Sequence, residues 1–140
     1  MESKIDRELL RRLPKAELHC HLDGSVRPST LLELADEYNV SLPRRAAAAL
    51  RDYMRVTDAS SLEDYLGRFD VTLAVMQTRE AIERIAYELA EDAASEGVRY
   101  LEVRFAPILN VERGLALGDV IEASLRGLER ASARHRNGNQ

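Results

Sequence analysis

Residues 16–24, AELHCHLDG, constrain the chain more than any other stretch. In a β-strand successive side chains go to opposite faces. Leu18, Cys20 and Leu22 then make one face apolar, while His19, His21 and Asp23 occupy the other. Two imidazoles two residues apart on one face can converge on a single metal ion, because imidazole nitrogen is a good ligand for zinc and its neighbours among the transition metals. The plainer alternative is a chance spacing among the chain's three histidines, since so short a motif recurs at random. Asp23 at the next same-face position, and Gly24 directly after it, favour a site. An apolar outer face and a polar inner face suit a strand of a parallel barrel. Helices cover the outside of such a barrel, and its chemistry sits at the C-terminal end of the strand, where Asp23-Gly24 turns the chain.

A second segment repeats the pattern. Residues 98–105, VRYLEVRF, place Leu101, Val103 and Phe105 on one face and Tyr100, Glu102 and Arg104 on the other. An inward Glu102 and Arg104 can pair with each other or with charges from elsewhere. The stretches around and between these two strands read as helices. Residues 5–13 form a short amphipathic helix with Asp6 near its start, ended by Pro14 and placed where it could plug the bottom of a barrel. Arg27-Pro28-Ser29 opens a helix, since Pro is tolerated in the first turn, and Leu31, Leu32, Leu34, Ala35 and Tyr38 form its core face. Residues 44–55 read as a helix and residues 57–61 as a loop. Ser61 with Asp64 approximates a capping box before a helix carrying Leu62, Tyr65, Leu66 and Phe69 on one side. Thr78 caps the strongest helical pattern, residues 80–94, in which Glu80 and Arg84 form an i, i+4 pair and which Gly97 stops. Asp119 and Glu122 make a capping box for a helix over residues 120–134. His135 reads as an exposed helix-end residue, favourable near the negative end of the dipole.

Strand, helices, strand, helix is how a (β/α) barrel begins. The 140 residues hold two of its strands, whereas a complete barrel takes about 250 residues and eight strands. The expected fold class is therefore α/β, the N-terminal portion of a (β/α)8 TIM barrel. Residues 1–140 are expected to form the first part of a single domain, broken off before the third strand. Open sheet edges and uncovered apolar helix faces then predict an oligomeric, aggregation-prone or partner-dependent chain.

Composition narrows the partners. Net charge is −4, Lys occurs only at Lys4 and Lys15, and the Arg residues alternate with acids. No basic stripe interleaved with aromatics invites nucleic acid. Cys20 is the single cysteine, so no internal disulfide forms, and on the apolar face it reads as a small buried hydrophobe. Residues 1–12 are charged throughout and no apolar run reaches membrane-spanning length. The expectation is a cytoplasmic protein without a membrane partner.

Residues 13–24 (LPKAELHCHLDG), continuing to residue 35, resemble the N-terminal signature of the adenosine/adenine deaminases, metal-dependent purine aminohydrolases of the amidohydrolase superfamily. The resemblance continues in order through LEDYLGRFDVTLAVMQ (62–77), IERIAYELAEDAASE (82–96) and GVRYLEVRFAP (97–107). It implies a TIM barrel and hydrolytic deamination in purine salvage, a metal-activated water attacking C6 of adenosine or deoxyadenosine to give inosine and ammonia. By the same resemblance His19 and His21 are two of the ligands of a zinc ion, and Asp23 contacts the sugar of the purine nucleoside. Gly24 lets substrate approach the backbone, and Tyr65, Leu66 and Phe69 belong to an apolar gate over the purine. Asp at position 23, where the adenine-specific branch tends to carry Glu, places the chain nearer the adenosine branch.

The family's remaining His and Asp ligands, and its Glu that protonates the ring, come from later strands. No residue of this chain matches them, so no catalytic general acid or base is assigned and the 140 residues alone are expected to be inactive. Two His ligands fall short of the three protein ligands usual at catalytic zinc. Another amidohydrolase-superfamily hydrolase is the competing enzyme reading, and a non-catalytic fragment with a binding role is the non-enzyme one. Zinc deaminases of cytosine and of bases in nucleic acid carry H-x-E with P-C-x-x-C, which a single cysteine excludes.

Overall fold

Two parallel strands, β1 (Lys15–His21) and β2 (Val98–Arg104), pair side by side at the centre of the chain. The structure is a computed structural model that describes residues 6–55 and 62–137, without the side chains of Asp64, Tyr65 and Asn137. The loop expected at 57–61 and the Ser61–Asp64 capping pair lie outside the described residues. Pairing runs from Lys15 opposite Val98 to His21 opposite Arg104. Leu22 N–H extends it, donating to Arg104 C=O at 3.0 Å. Parallel strands need a long crossover, and here the crossover contains four helices.

The helices are α1 (Arg7–Arg12), α2 (Pro28–Glu37), α3 (Ala47–Met54), α4 (Leu62–Leu73), α5 (Arg79–Ser95) and α6 (Leu117–Asn137), with a 3-10 turn at Pro107–Asn110. Their ends follow local chemistry. Asp6 accepts from Glu8 N–H at the start of α1, and Thr78 accepts from Ala81 N–H at the start of α5. Gly97 takes φ +85° just beyond α5, a left-handed turn that favours glycine. A Cβ there would also lie 2.3 Å from Arg11 C=O, so the close approach of α1 requires glycine a second time. Leu9, Leu10 and Leu13 nonetheless stay 53%, 46% and 46% exposed.

The core lies between the sheet and α2, α5 and α6. Leu22, Leu31, Leu34, Leu50, Met76, Ile82, Ile85 and Val120 are buried in it. Each large side chain removed from water contributes about 1.5–3 kcal/mol. Cys20, Leu101, Val103 and Phe105 pack against this cluster from the strands, as their alternation requires. At the α5–α6 contact, Gly127 brings the helices so close that a Cβ would sit 2.3 Å from Glu83 C=O and 2.8 Å from Ala86 Cβ.

Four expectations are corrected. Leu18 does not join the core with Cys20 and Leu22. The register breaks between Glu17 and Cys20, and Leu18 is 58% exposed. Helix α6 begins at Leu117, so Asp119 lies within its first turn instead of capping it, and its carboxylate takes the Arg79 guanidinium. Arg84 turns from Glu80 to Glu88 (2.9 Å) and Glu33 (2.7 Å). Glu88 is buried at 9% exposure and already accepts from Thr30, so it needs the nearby cation more than an exposed Glu80 does. His135 is half-buried, its Nε2 enclosed against α5 and β2. Among the described residues no helix is long and apolar enough to cross a membrane.

Candidate active site

A cavity of about 310 Å³ opens at the C-terminal end of β1. The irregular register between Glu17 and Cys20 shapes its floor. Such irregularities re-aim side chains and collect beside active sites. The groups at the break find side-chain partners: His19 N–H donates to Glu17 Oε1 at 3.0 Å, and Arg104 Nη2 donates to Leu18 C=O at 3.2 Å. Arg104 therefore braces the strand and does not pair with Glu102, which accepts from Tyr100 at 2.8 Å. That carboxylate raises the Tyr100 phenol above its ordinary value, since it favours the protonated hydroxyl that donates to it.

Across the break His19 and His21 still converge, with their Nε2 atoms 3.1 Å apart and their rings tilted by 36°. A metal about 2.0–2.1 Å from each nitrogen would see them at an angle of roughly 100°, close to tetrahedral. The donor set and its spacing fit zinc or a similar ion. Asp23 adds a second signal. It is 8% exposed, and its Oδ1 has no hydrogen-bond partner among the described residues. The same oxygen lies 3.5 Å from His21 Nδ1. A buried carboxylate oxygen left without a donor is costly, and a ligand in this cavity that supplies a hydrogen or a cation would satisfy it. Among the described residues no group of three or more His, Cys, Asp or Glu assembles around a common metal position.

Gly24 borders the same space. A Cβ there would point between His21 Cβ and Phe69 Cε1, 3.5 Å from each. These are ordinary contacts, so packing alone does not demand glycine, and the space it leaves opens into the cavity. The Phe69 ring stands edge-on to His21 at 6.4 Å. Leu66 lies roughly 60° round the helix from Phe69. It is 52% exposed and is not among the residues lining the cavity. The Tyr65 side chain is outside what is described.

Thr72 and Arg68 are among the lining residues that sequence reasoning did not assign to the site. Thr72, 1% exposed, donates its hydroxyl to Asp23 C=O at 2.7 Å. Arg68 is 8% exposed. A cation one residue before Phe69 on a buried helix face was the available signal for it. The loop after β1 is also clamped from outside. Arg27 forks onto Asp92 (3.0 and 2.6 Å) and Glu91 (2.9 Å) of α5. These carboxylates raise the Arg27 pKa further above its ordinary value, and Arg27 in turn lowers that of Glu91.

Comparison with known proteins meets this geometry. The family model described as adenosine deaminase matches residues 14–136. An adenosine deaminase of Vibrio atlanticus is 52% identical over 123 residues, covering 88% of this chain and 37% of the relative. Among solved structures, an Arabidopsis N6-mAMP deaminase superposes with a TM-score of 0.70 at 35% identity, covering 89% of this chain and 36% of that one. An amidohydrolase from Burkholderia ambifaria with bound Zn gives 0.72 at 31% identity, covering 94% and 37%. The two strands and their helices thus form the N-terminal portion of a TIM barrel, and the chain spans a little over a third of the length of the relatives it matches. With the model matched over nearly the whole chain, the chain belongs to the adenosine deaminase family.

Proposed function

We propose that this chain forms the opening part of a single zinc-dependent hydrolase domain, residues 1–140 ending before its third strand. That domain removes the C6 amino group of adenosine or deoxyadenosine, giving inosine and ammonia. The observation that carries the reading is the convergence of two imidazole Nε2 atoms at 3.1 Å beside a buried carboxylate oxygen without a donor. The naming of a 52%-identical relative as adenosine deaminase supports the reaction, and a neighbour solved with bound Zn supports the metal.

His19 and His21 hold the ion through Nε2. A zinc ion there supplies an activated water near neutral pH. Asp23 accepts a hydroxyl of the sugar through its free oxygen, which fixes the nucleoside in the cavity. Gly24 leaves room for the ligand against the backbone. Phe69 covers the apolar purine and excludes water, and Tyr65 and Leu66 are assigned to the same cover by the family resemblance. Among the described residues no side chain is assigned to deliver the proton to the purine ring, since Asp23 is turned to the sugar. The 140 residues are therefore inactive by themselves. A cytoplasmic location goes with a nucleoside substrate.

The test measures zinc content and adenosine turnover for this chain and for any longer product read in frame past residue 140. Near-stoichiometric zinc and turnover in the longer product alone, both lost in His19→Ala, are expected. A longer product with neither would overturn the enzyme reading in favour of a binding role. Metal-dependent turnover by the 140 residues would overturn the claim of inactivity.

A further inference from the structure

Helix α4 is held at two places, and the two holds differ in kind. At its C-terminal end Thr72 is tied to Asp23 C=O, and Val75 and Met76, just beyond, are 1% and 0% exposed. Along its N-terminal half the described apolar side chains lie in solvent, with Leu62 at 69% and Leu66 at 52%. Among the described residues, apolar burial therefore fixes one end of the helix only. Yet Phe69, in the middle, must keep its ring against His21 for the cavity to have a wall.

Arg68 supplies the second hold. Its Nη1 donates to Tyr53 C=O at 2.6 Å and to Arg55 C=O at 2.7 Å, and its guanidinium lies 5.4 Å from the centroid of the Tyr53 ring. These carbonyls belong to the last turn and cap of α3. Helix C-terminal carbonyls lack intrahelical donors and carry the negative end of the dipole, so a guanidinium is a fitting partner. Met54, between the two carbonyls, lines the same cavity as Phe69. Arg68 thus joins α4 to α3 across one wall of the site, one residue from the aromatic that faces His21.

We propose that Arg68 is a positioning residue. By latching α4 to the C-terminal end of α3, it holds Phe69 over the histidine pair while Thr72 acts as the hinge. The proposal rests on the reading of α4 as cover for the purine. Arg68 reaches the site through α4 and takes no part in proton transfer. A lysine ammonium can donate to both carbonyls, as Nη1 alone does here, but it lacks the plane that stacks on Tyr53.

The test is hydrogen exchange on the 140-residue chain with Arg68→Gln. Amides over 62–69 are expected to exchange on the order of tenfold faster, as the loss of a charge-assisted latch implies. Those of α5 (Arg79–Ser95) should be unchanged, and Arg68→Lys should recover part of the protection. Unchanged exchange over 62–69, or equal acceleration in α5, would overturn the proposal. If Arg68→Gln does not fold, Tyr53→Leu keeps both carbonyls and removes the stacking surface. It should give a smaller acceleration confined to 62–69, and no acceleration there would count against the latch. In a protein that turns over adenosine, Arg68→Gln should raise KM roughly tenfold with kcat little changed, the pattern of lost uniform binding. A fall in kcat alone would overturn the positioning role. Wild-type protein without turnover would instead defeat the proposed function, and the exchange result would still decide the latch.

Discussion

Replacing glycine by alanine at three positions should give three different outcomes, because the added methyl meets three different surroundings. At Gly127 it would lie 2.3 Å from Glu83 C=O, 2.8 Å from Ala86 Cβ and 2.9 Å from Tyr87 N, against the roughly 3.5–4.0 Å at which carbon atoms pack best. Two of those atoms are backbone of α5 and cannot rotate aside, so the helices must part. Overpacking of this kind costs about 1–3 kcal/mol. Contacts this short with fixed backbone belong to the upper half of that range, about 2–3 kcal/mol; alanine recovers about 1 kcal/mol of helix propensity, which leaves a net loss of about 1–2 kcal/mol. At Gly118, also in α6, a Cβ meets nothing within 4 Å, and the same substitution should stabilise by about 0.5 kcal/mol. At Gly24 the contacts are ordinary, 3.5 Å to His21 Cβ and to Phe69 Cε1, so folding should change by less than about 0.5 kcal/mol. The methyl there intrudes on the cavity. One misplaced methylene in a fitted pocket is worth about 1–3 kcal/mol, and purine nucleoside affinity should fall accordingly. Urea denaturation followed by circular dichroism measures the first two variants and the folding of the third, and nucleoside titration of the turnover-competent protein measures its binding. A Gly127→Ala chain as stable as wild type would refute the close approach of α5 and α6. A Gly24→Ala protein that folds and binds nucleoside normally would refute the placement of substrate against that backbone.

Three further outcomes are expected. Thr72→Val keeps the shape but removes the hydroxyl that serves buried Asp23 C=O, and should cost about 1–3 kcal/mol by urea melt. Leu22→Ala empties a fully buried position at the end of β1 and should cost about 2–5 kcal/mol, read the same way. Stability should fall as pH drops below about 4.5, the ordinary value from which Arg27 lowers Glu91. The carboxylate's contribution is complete above that pH and is lost as the folded form takes up its proton, so Glu91→Gln should flatten the acid limb of a melting-temperature profile.

The local part of this architecture was legible because each device is written in a few neighbouring residues. Alternation in 98–105 placed β2 with Leu101, Val103 and Phe105 against the core, and Thr78 and Gly97 bounded α5 through cap chemistry that reaches only a turn. The histidine pair was legible for the same reason, since two residues on one strand face remain neighbours whatever the rest of the chain does. What sequence reasoning missed depends on partners far away along the chain. Leu18 stays 58% exposed instead of joining the core, beside a break in register with β2 that no alternation rule sees. Arg84 chose Glu88 because Thr30, 58 residues from Glu88 along the chain, had already drawn that carboxylate into the interior. Arg68 looked like one more charge on a helix until the end of α3 supplied two carbonyls for it. The same division runs through the proposed site. The proposed ligand-binding residues His19, His21 and Asp23 lie within five consecutive residues, whereas the contacts proposed to hold the wall, Arg68 on Tyr53 and Arg55 and Thr72 on Asp23, join residues far apart along the chain. Substitutions in the first set should abolish the site, and those in the second should leave it chemically intact but open.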